Sequence, residues 1–159
     1  MKDDLKLIVF WVLFSSIAAQ CSCQNQALRA EVNLAQTTVR SKEALRVVTT
    51  IYNVGETEQT VGIWTCSFPE QWRTDNSAVK VDSVDCWRNY VSKLKLKPGE
   101  KLQRSFSVHI EFPDDQIGRI VIRFRLGFRN AIPSEAAGPD VNPPPLWSNT
   151  VEVFLLGKS

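Results

Sequence analysis

The stretch LKLKPGEKLQRSFSVHIEF, residues 94–112, decides the fold class. Leu94 and Leu96 alternate with lysines up to Pro98-Gly99, and Leu102, Phe106, Val108, Ile110 and Phe112 follow on one side of the next run. A period of two sends successive side chains to opposite faces of a pleated strand, so both runs read as half-buried β-strands. Proline presets the first central dihedral of a type II turn and glycine accepts the positive φ of the second. Residues 94–112 therefore predict a β-hairpin.

The same pattern extends in both directions. Leu28, Ala30, Val32 and Leu34 share one face, opposite Arg29, Glu31 and Asn33. Leu45, Val47, Thr49 and Ile51 alternate until Asn53-Val54-Gly55-Glu56 supplies turn residues. Residues 60–66 predict a third strand, the polar, proline-containing residues 69–77 a break, and residues 78–84 a short strand. Beyond Pro113-Asp114-Asp115 and Gly118, the run RIVIRFRLGFR, residues 119–129, sets Ile120, Ile122, Phe124, Leu126 and Phe128 against an arginine-rich face. In residues 150–156, Val151, Val153 and Leu155 point one way. No segment sustains a 3.6-residue apolar period, and no internal repeat is visible. The expectation is an all-β chain: a single antiparallel β-sandwich of seven to eight strands.

The N-terminus reads differently. Lys2 and Lys6 precede an apolar run, residues 7–19, that ends in the small residues Ala18 and Ala19, the pattern of a signal peptide. That run is shorter than the roughly 20 apolar residues a spanning helix needs. The expected division is a leader over residues 1–23 and one β-sandwich domain over residues 24–159, with no transmembrane span in the mature chain. Ala18-Ala19-Gln20-Cys21 resembles a bacterial lipobox, although Gln20 stands where a small residue is usual and Ala18 where leucine is. Lipidation of Cys21 would tether the domain to a membrane surface; ordinary cleavage after Ala18 or Ala19 is the other route. The expected location is periplasmic, cell-envelope or extracellular. Cys66 and Cys86 lie within the domain, where an oxidising compartment allows a disulfide.

Two further segments, residues 45–55 ending in Asn-Val-Gly and Leu96-Lys97-Pro98-Gly99-Glu100 before a strand, resemble the immunoglobulin-like and fibronectin-like sandwich domains of exported bacterial proteins. The resemblance spans about residues 28–156 and implies that fold. Cys66 and Cys86 fall near the middle strands, not on the second and sixth as in antibody domains, and no tyrosine marks the corner near Ile120. The proline-glycine-glutamate hairpin is also similar to that of small bacterial sandwich-type proteinase inhibitors.

Chemistry is sparse. Nineteen basic and 17 acidic residues give a net charge of +2, which indicates no whole-molecule attraction to nucleic acid. His109 is the only histidine, placed by alternation with Ser105, Ser107 and Glu111 on the polar face. Neither a zinc ligand set nor a glycine-flanked nucleophile accompanies it. Asp114 with Asp115, and Asp82 with Asp85, read as turn or strand-end residues. No catalytic residue, metal or cofactor is expected.

Three features could bind a partner. Arg119, Arg123, Arg125 and Arg129 fall on one face of a strand at about 6.6 Å steps, a ladder suited to an anionic envelope component unless Glu152 and other acids pair with it. Residues 130–146 carry Pro133, Pro139, Pro143, Pro144 and Pro145, a stiffened connection closed by Trp147, which reads as an exposed anchor or as a plug at the loop base. Trp72, Trp87 and Tyr90 flank the cysteine segment, as a sugar platform or as packing against a disulfide. The expected function is a non-catalytic, exported or envelope-tethered module that recognises a protein or an anionic envelope component through end loops. The alternatives are a proteinase inhibitor and a structural accessory lipoprotein.

Overall fold

Apolar alternation is most sustained in two ten-residue strands, β3 (Ala44–Asn53) and β8 (Lys101–Ile110), and these pair with each other. The computed structural model describes residues 27–112, 119–132 and 144–156. The antiparallel register of the two strands runs from Ala44 opposite His109 to Tyr52 opposite Lys101. Strand β1 (Leu28–Leu34) adds to the other edge of β3 and β6 (Val79–Val81) to that of β8, giving the order β1-β3-β8-β6. One face of this sheet buries Ala30, Val32, Leu45, Val47, Ile51, Val79, Phe106, Val108 and Ile110. Each large apolar side chain removed from water contributes roughly 1.5–3 kcal/mol.

Three smaller sheets supply the other side of the core. Strands β2 (Thr38–Arg40), β12 (Val151–Leu156) and β9 (Arg119–Phe124) form one, with β2 parallel to β12. Strands β11 (Leu146–Trp147), β10 (Leu126–Phe128) and β5 (Trp72–Thr74) form a second. Strands β4 (Gln59–Trp64) and β7 (Val91–Leu96) form the third. Val61, Ile63, Leu96, Ile122, Phe124, Leu126, Phe128, Val153 and Leu155 join the first sheet's apolar face in one buried cluster. Trp72, Phe68, Phe128 and Phe106 fill its centre, with ring centroids 5.2–6.4 Å apart. The architecture is all-β and β-sandwich-like.

The Pro98-Gly99 turn is present, with Gly99 at φ +80° and Glu100 N–H donating to Lys97 O at 3.0 Å. It does not close a hairpin. β7 pairs with β4, whereas β8 pairs with β3 and β6. The turn is an arch carrying the chain from one sheet to another, because β8 has β3 along one edge and β6 along the other while β7 is taken up by β4. Residues 69–77, expected as a break, contain β5 after a 310 turn at Phe68–Gln71.

Where backbone ladders end, amide side chains continue them. Asn149 accepts from Val32 N–H at 2.8 Å and donates to Val32 O at 3.1 Å. On β4, Asn130 accepts from Gly62 N–H at 2.7 Å, while Gln71 accepts from Trp64 N–H at 2.7 Å and donates to Gly62 O at 3.1 Å. These bonds fasten sheets that share no strand pairing.

Among the described residues no helix is long and apolar enough to cross a membrane. Residues 1–26, with Cys21 and the leader, lie outside the described residues, as do Asp114, Asp115, Pro133, Pro139 and Pro143.

Candidate binding surfaces

The cysteine segment folds into a pinned loop. Cys66 and Cys86 form a disulfide with Cα atoms 5.9 Å apart, a bond suited to a non-reducing compartment. Asn89 continues the staple, accepting from Cys66 N–H at 3.4 Å and donating to the Ser67 hydroxyl. Thr65 N–H then donates to Tyr90 O at 3.1 Å. Residues on both sides of Trp87-Arg88 are therefore tied to residues 65–67. The tip faces water: Trp87 is 101% exposed and Tyr90 66%. The three aromatics of this segment are not one platform, because Trp72 is 3% exposed and packs on Phe128 at 5.2 Å.

The arginine ladder is divided between two sheets. Residues 119–129 break at Arg125, where Asp75 accepts both the Arg125 backbone N–H at 2.7 Å and the guanidinium at 2.8 Å. The Ser148 hydroxyl takes the next backbone N–H, from Leu126, at 3.1 Å. Arg119 lies 3.9 Å over the Phe154 ring, and Arg123 pairs with Glu152 at 2.5 Å, the cross-strand partner anticipated from the sequence. Burial alone raises the Asp75 carboxyl; the backbone N–H, guanidinium bond and charge of Arg125 together outweigh it, and Asp75 lies below its ordinary value.

Trp147 sits opposite Gly127, half-covered at 37% exposure. A Cβ at Gly127 would stand 2.9 Å from the Trp147 ring and from Pro145, so the missing side chain is what lets them settle on the strand. Arg125 lies over that ring at 5.2 Å. At the other end of the connection, Ile132 rests on Gly62 in the same manner. Pro144 is exposed and Pro145 half-buried.

His109 lies between two carboxylates, with Nδ1 2.6 Å from Asp82 and Nε2 3.5 Å from Glu111. Among the described residues no three His, Cys, Asp or Glu side chains are grouped to hold a metal ion.

Sequence reasoning missed Arg73 and the two glycine seats. Arg73 lies in a segment that reads as a break. A lone glycine inside an alternating strand marks close approach of another group, and Gly127 carries that signal.

No protein-family model matches the chain, and no curated protein matches it. Among solved structures, a β-glucosidase from Erythrobacter marinus is 13% identical with a TM-score of 0.40; the match covers 81% of this chain and 15% of that one. The sporulation control protein of Bacillus subtilis is 12% identical with a TM-score of 0.41, over 83% of this chain and 50% of that one. An alkylpurine DNA glycosylase from Pseudomonas fluorescens is 12% identical with a TM-score of 0.40, over 82% of this chain and 31% of that one.

Proposed function

We propose that this chain is a non-catalytic, exported binding module with an immunoglobulin-like sandwich, recognising another macromolecule through loops at its ends. The observation that carries this reading is Trp87, wholly exposed at the tip of a loop held by a disulfide and by Asn89. Large aromatics with a neighbouring arginine are the side chains that dominate binding energy at protein surfaces. Holding them in place before contact lowers the ordering cost of association. The disulfide also supports export. Support for the immunoglobulin-like topology comes from the four-stranded order β1-β3-β8-β6 beside the separate sheets β2-β12-β9 and β4-β7.

The test is quantitative affinity capture from a native envelope extract with the full chain, its Trp87→Ala variant, and a variant whose residues 131–145 are replaced by a short turn. A ligand retained by the wild type and bound at least 10-fold more weakly by Trp87→Ala, at unchanged thermal unfolding, is the expected result. Equal capture by wild type and Trp87→Ala removes the loop from the reading.

A further inference from the structure

The outer face of the β5–β10–β11 sheet carries a charge arrangement independent of the Trp87 loop. Arg73 stands directly across the ladder from Gly127, and Arg125 and Arg129 lie two residues to either side of that glycine. Diagonal neighbours across an antiparallel pair are about 7–8 Å apart, within reach of side chains as long as arginine. The flanking arginines differ in surroundings. Asp75 neutralises Arg125 at 2.8 Å. Neither Arg73 nor Arg129 has a carboxylate partner among the described residues, and the Arg129 Nε is buried there without a hydrogen-bond acceptor. Burial, and after it the charge of Arg73, pulls the Arg129 guanidinium below its ordinary value. Like charges side by side, one with a desolvated donor, form an arrangement that an anion relieves. Trp147 and Pro145, seated on Gly127, stand on the same face beside the arginines.

We propose that Arg73 and Arg129 form a binding site for a phosphate monoester group. Two unpaired positive charges match the charge of about −1.5 to −2 that such a group carries near pH 7, whereas a carboxylate would leave one guanidinium uncompensated. Guanidinium forks present paired N–H donors to phosphate oxygens, and Arg73, which is exposed, offers such a fork beside Arg129. The group is carried either by a soluble ester or by a lipid headgroup.

The full chain at low ionic strength is titrated with inorganic phosphate, and arginine Nε–Hε resonances are followed by NMR beside a sodium chloride series of matched ionic strength. Saturable shifts at Arg73 and Arg129 are expected, with at least 10-fold weaker binding in Arg73→Ala. Because Arg73 is exposed, that variant keeps its fold. Arg73→Lys recovers only part of the affinity, and Arg123→Ala, whose guanidinium already pairs with Glu152, binds as the wild type does. Shifts that stay linear and are reproduced by chloride, or binding unchanged in Arg73→Ala, overturn the proposal. Phosphatidylcholine vesicles with and without phosphatidic acid separate the two sources. Cosedimentation that needs phosphatidic acid and Arg73 upholds the site as a headgroup site; saturable phosphate binding without cosedimentation upholds it as a soluble-ester site.

Discussion

Asn53 is a turn residue by sequence and a buried hub by structure. Its Nδ2 donates to Thr57 O at 2.8 Å and to Leu96 O at 2.7 Å, and its Oδ1 accepts from Gly55 N–H at 3.0 Å. Its backbone meanwhile holds the far side of the Pro98-Gly99 arch through Glu100 O and Gly99 N–H, each at 2.9 Å. Alanine there leaves several buried polar groups unmatched. We expect Asn53→Ala to cost about 2–4 kcal/mol in urea unfolding, and Asn53→Asp at least as much, since a carboxylate would face two carbonyls. Asp75 tests electrostatics at the same scale. Its folded-state pKa is lowered, so its contribution is present above the ordinary value of 3.8 and is lost as pH falls through the folded value. Asp75→Asn should be less stable than wild type by at most about 1 kcal/mol at pH 7, because the partner guanidinium is well exposed. The gap should close on acidification below 3.8. A gap that persists in acid would assign the loss to the backbone bond with Arg125 and not to charge.

Elements were legible where one face is buried and the other wet. Val151, Val153 and Leu155 alternate because the other face of β12 is exposed at Glu152 and Leu156, and Leu45 and Val47 do so on β3 opposite the exposed Ala44 and Arg46, although Thr50 farther along is buried. The type of the Pro98-Gly99 turn was legible too, since two residues set its dihedrals. Its topological role was not, because β8 finds β3 across a long stretch of chain and nothing local to the turn records that choice. The amide bridges at Asn149, Gln71 and Asn130 were equally hidden: each satisfies a backbone group that the local pattern does not mark. The glycines separate local from tertiary demands. Gly99 has positive φ and open space for 4 Å around the point where a Cβ would stand, so Gly99→Ala should cost about 1 kcal/mol of backbone strain alone. At Gly62 the same point lies 2.8 Å from the Ile132 backbone N, with Ile132 Cγ1 closer still. Gly62→Ala should lose roughly 1–3 kcal/mol and, unlike Gly99→Ala, should speed amide exchange at Ala131, whose N–H bonds to Gly62 O. Equal exchange in the two variants would mean that Ile132 yields without releasing its neighbours.

At the scale of the molecule, one core joins the four sheets of the described residues, and the disulfide links the end of β4 to the loop before β7. Closing a loop with a sequence separation of 20 stabilises the fold by about 3 kcal/mol in the chain-entropy model. The Cys66→Ser/Cys86→Ser double variant should lose that much in urea unfolding, and adding reductant should lower the wild type to the same level. Loss of only a few tenths would show that Asn89 and Tyr90 hold the loop unaided. The candidate sites were less legible than the core. Cys66, Cys86 and Trp87 could be named from sequence, but exposure separates Trp87 from Trp72, and exposure is a tertiary quantity. Gly62 under Ile132 and Gly127 under Trp147 seat the described residues that flank 133–143 on separate sheets. Two such seats fix the gap that any intervening segment must close. Doubling the length of a flexible segment between them would add only about 0.6 kcal/mol of closure entropy. If the seats hold by themselves, exchanging residues 133–143 for a Gly-Ser segment of equal length should leave amide protection at Ala131 and Ser148 unchanged, since those N–H groups bond to Gly62 O and Leu126 O; the flanks would then act as fixed mooring points.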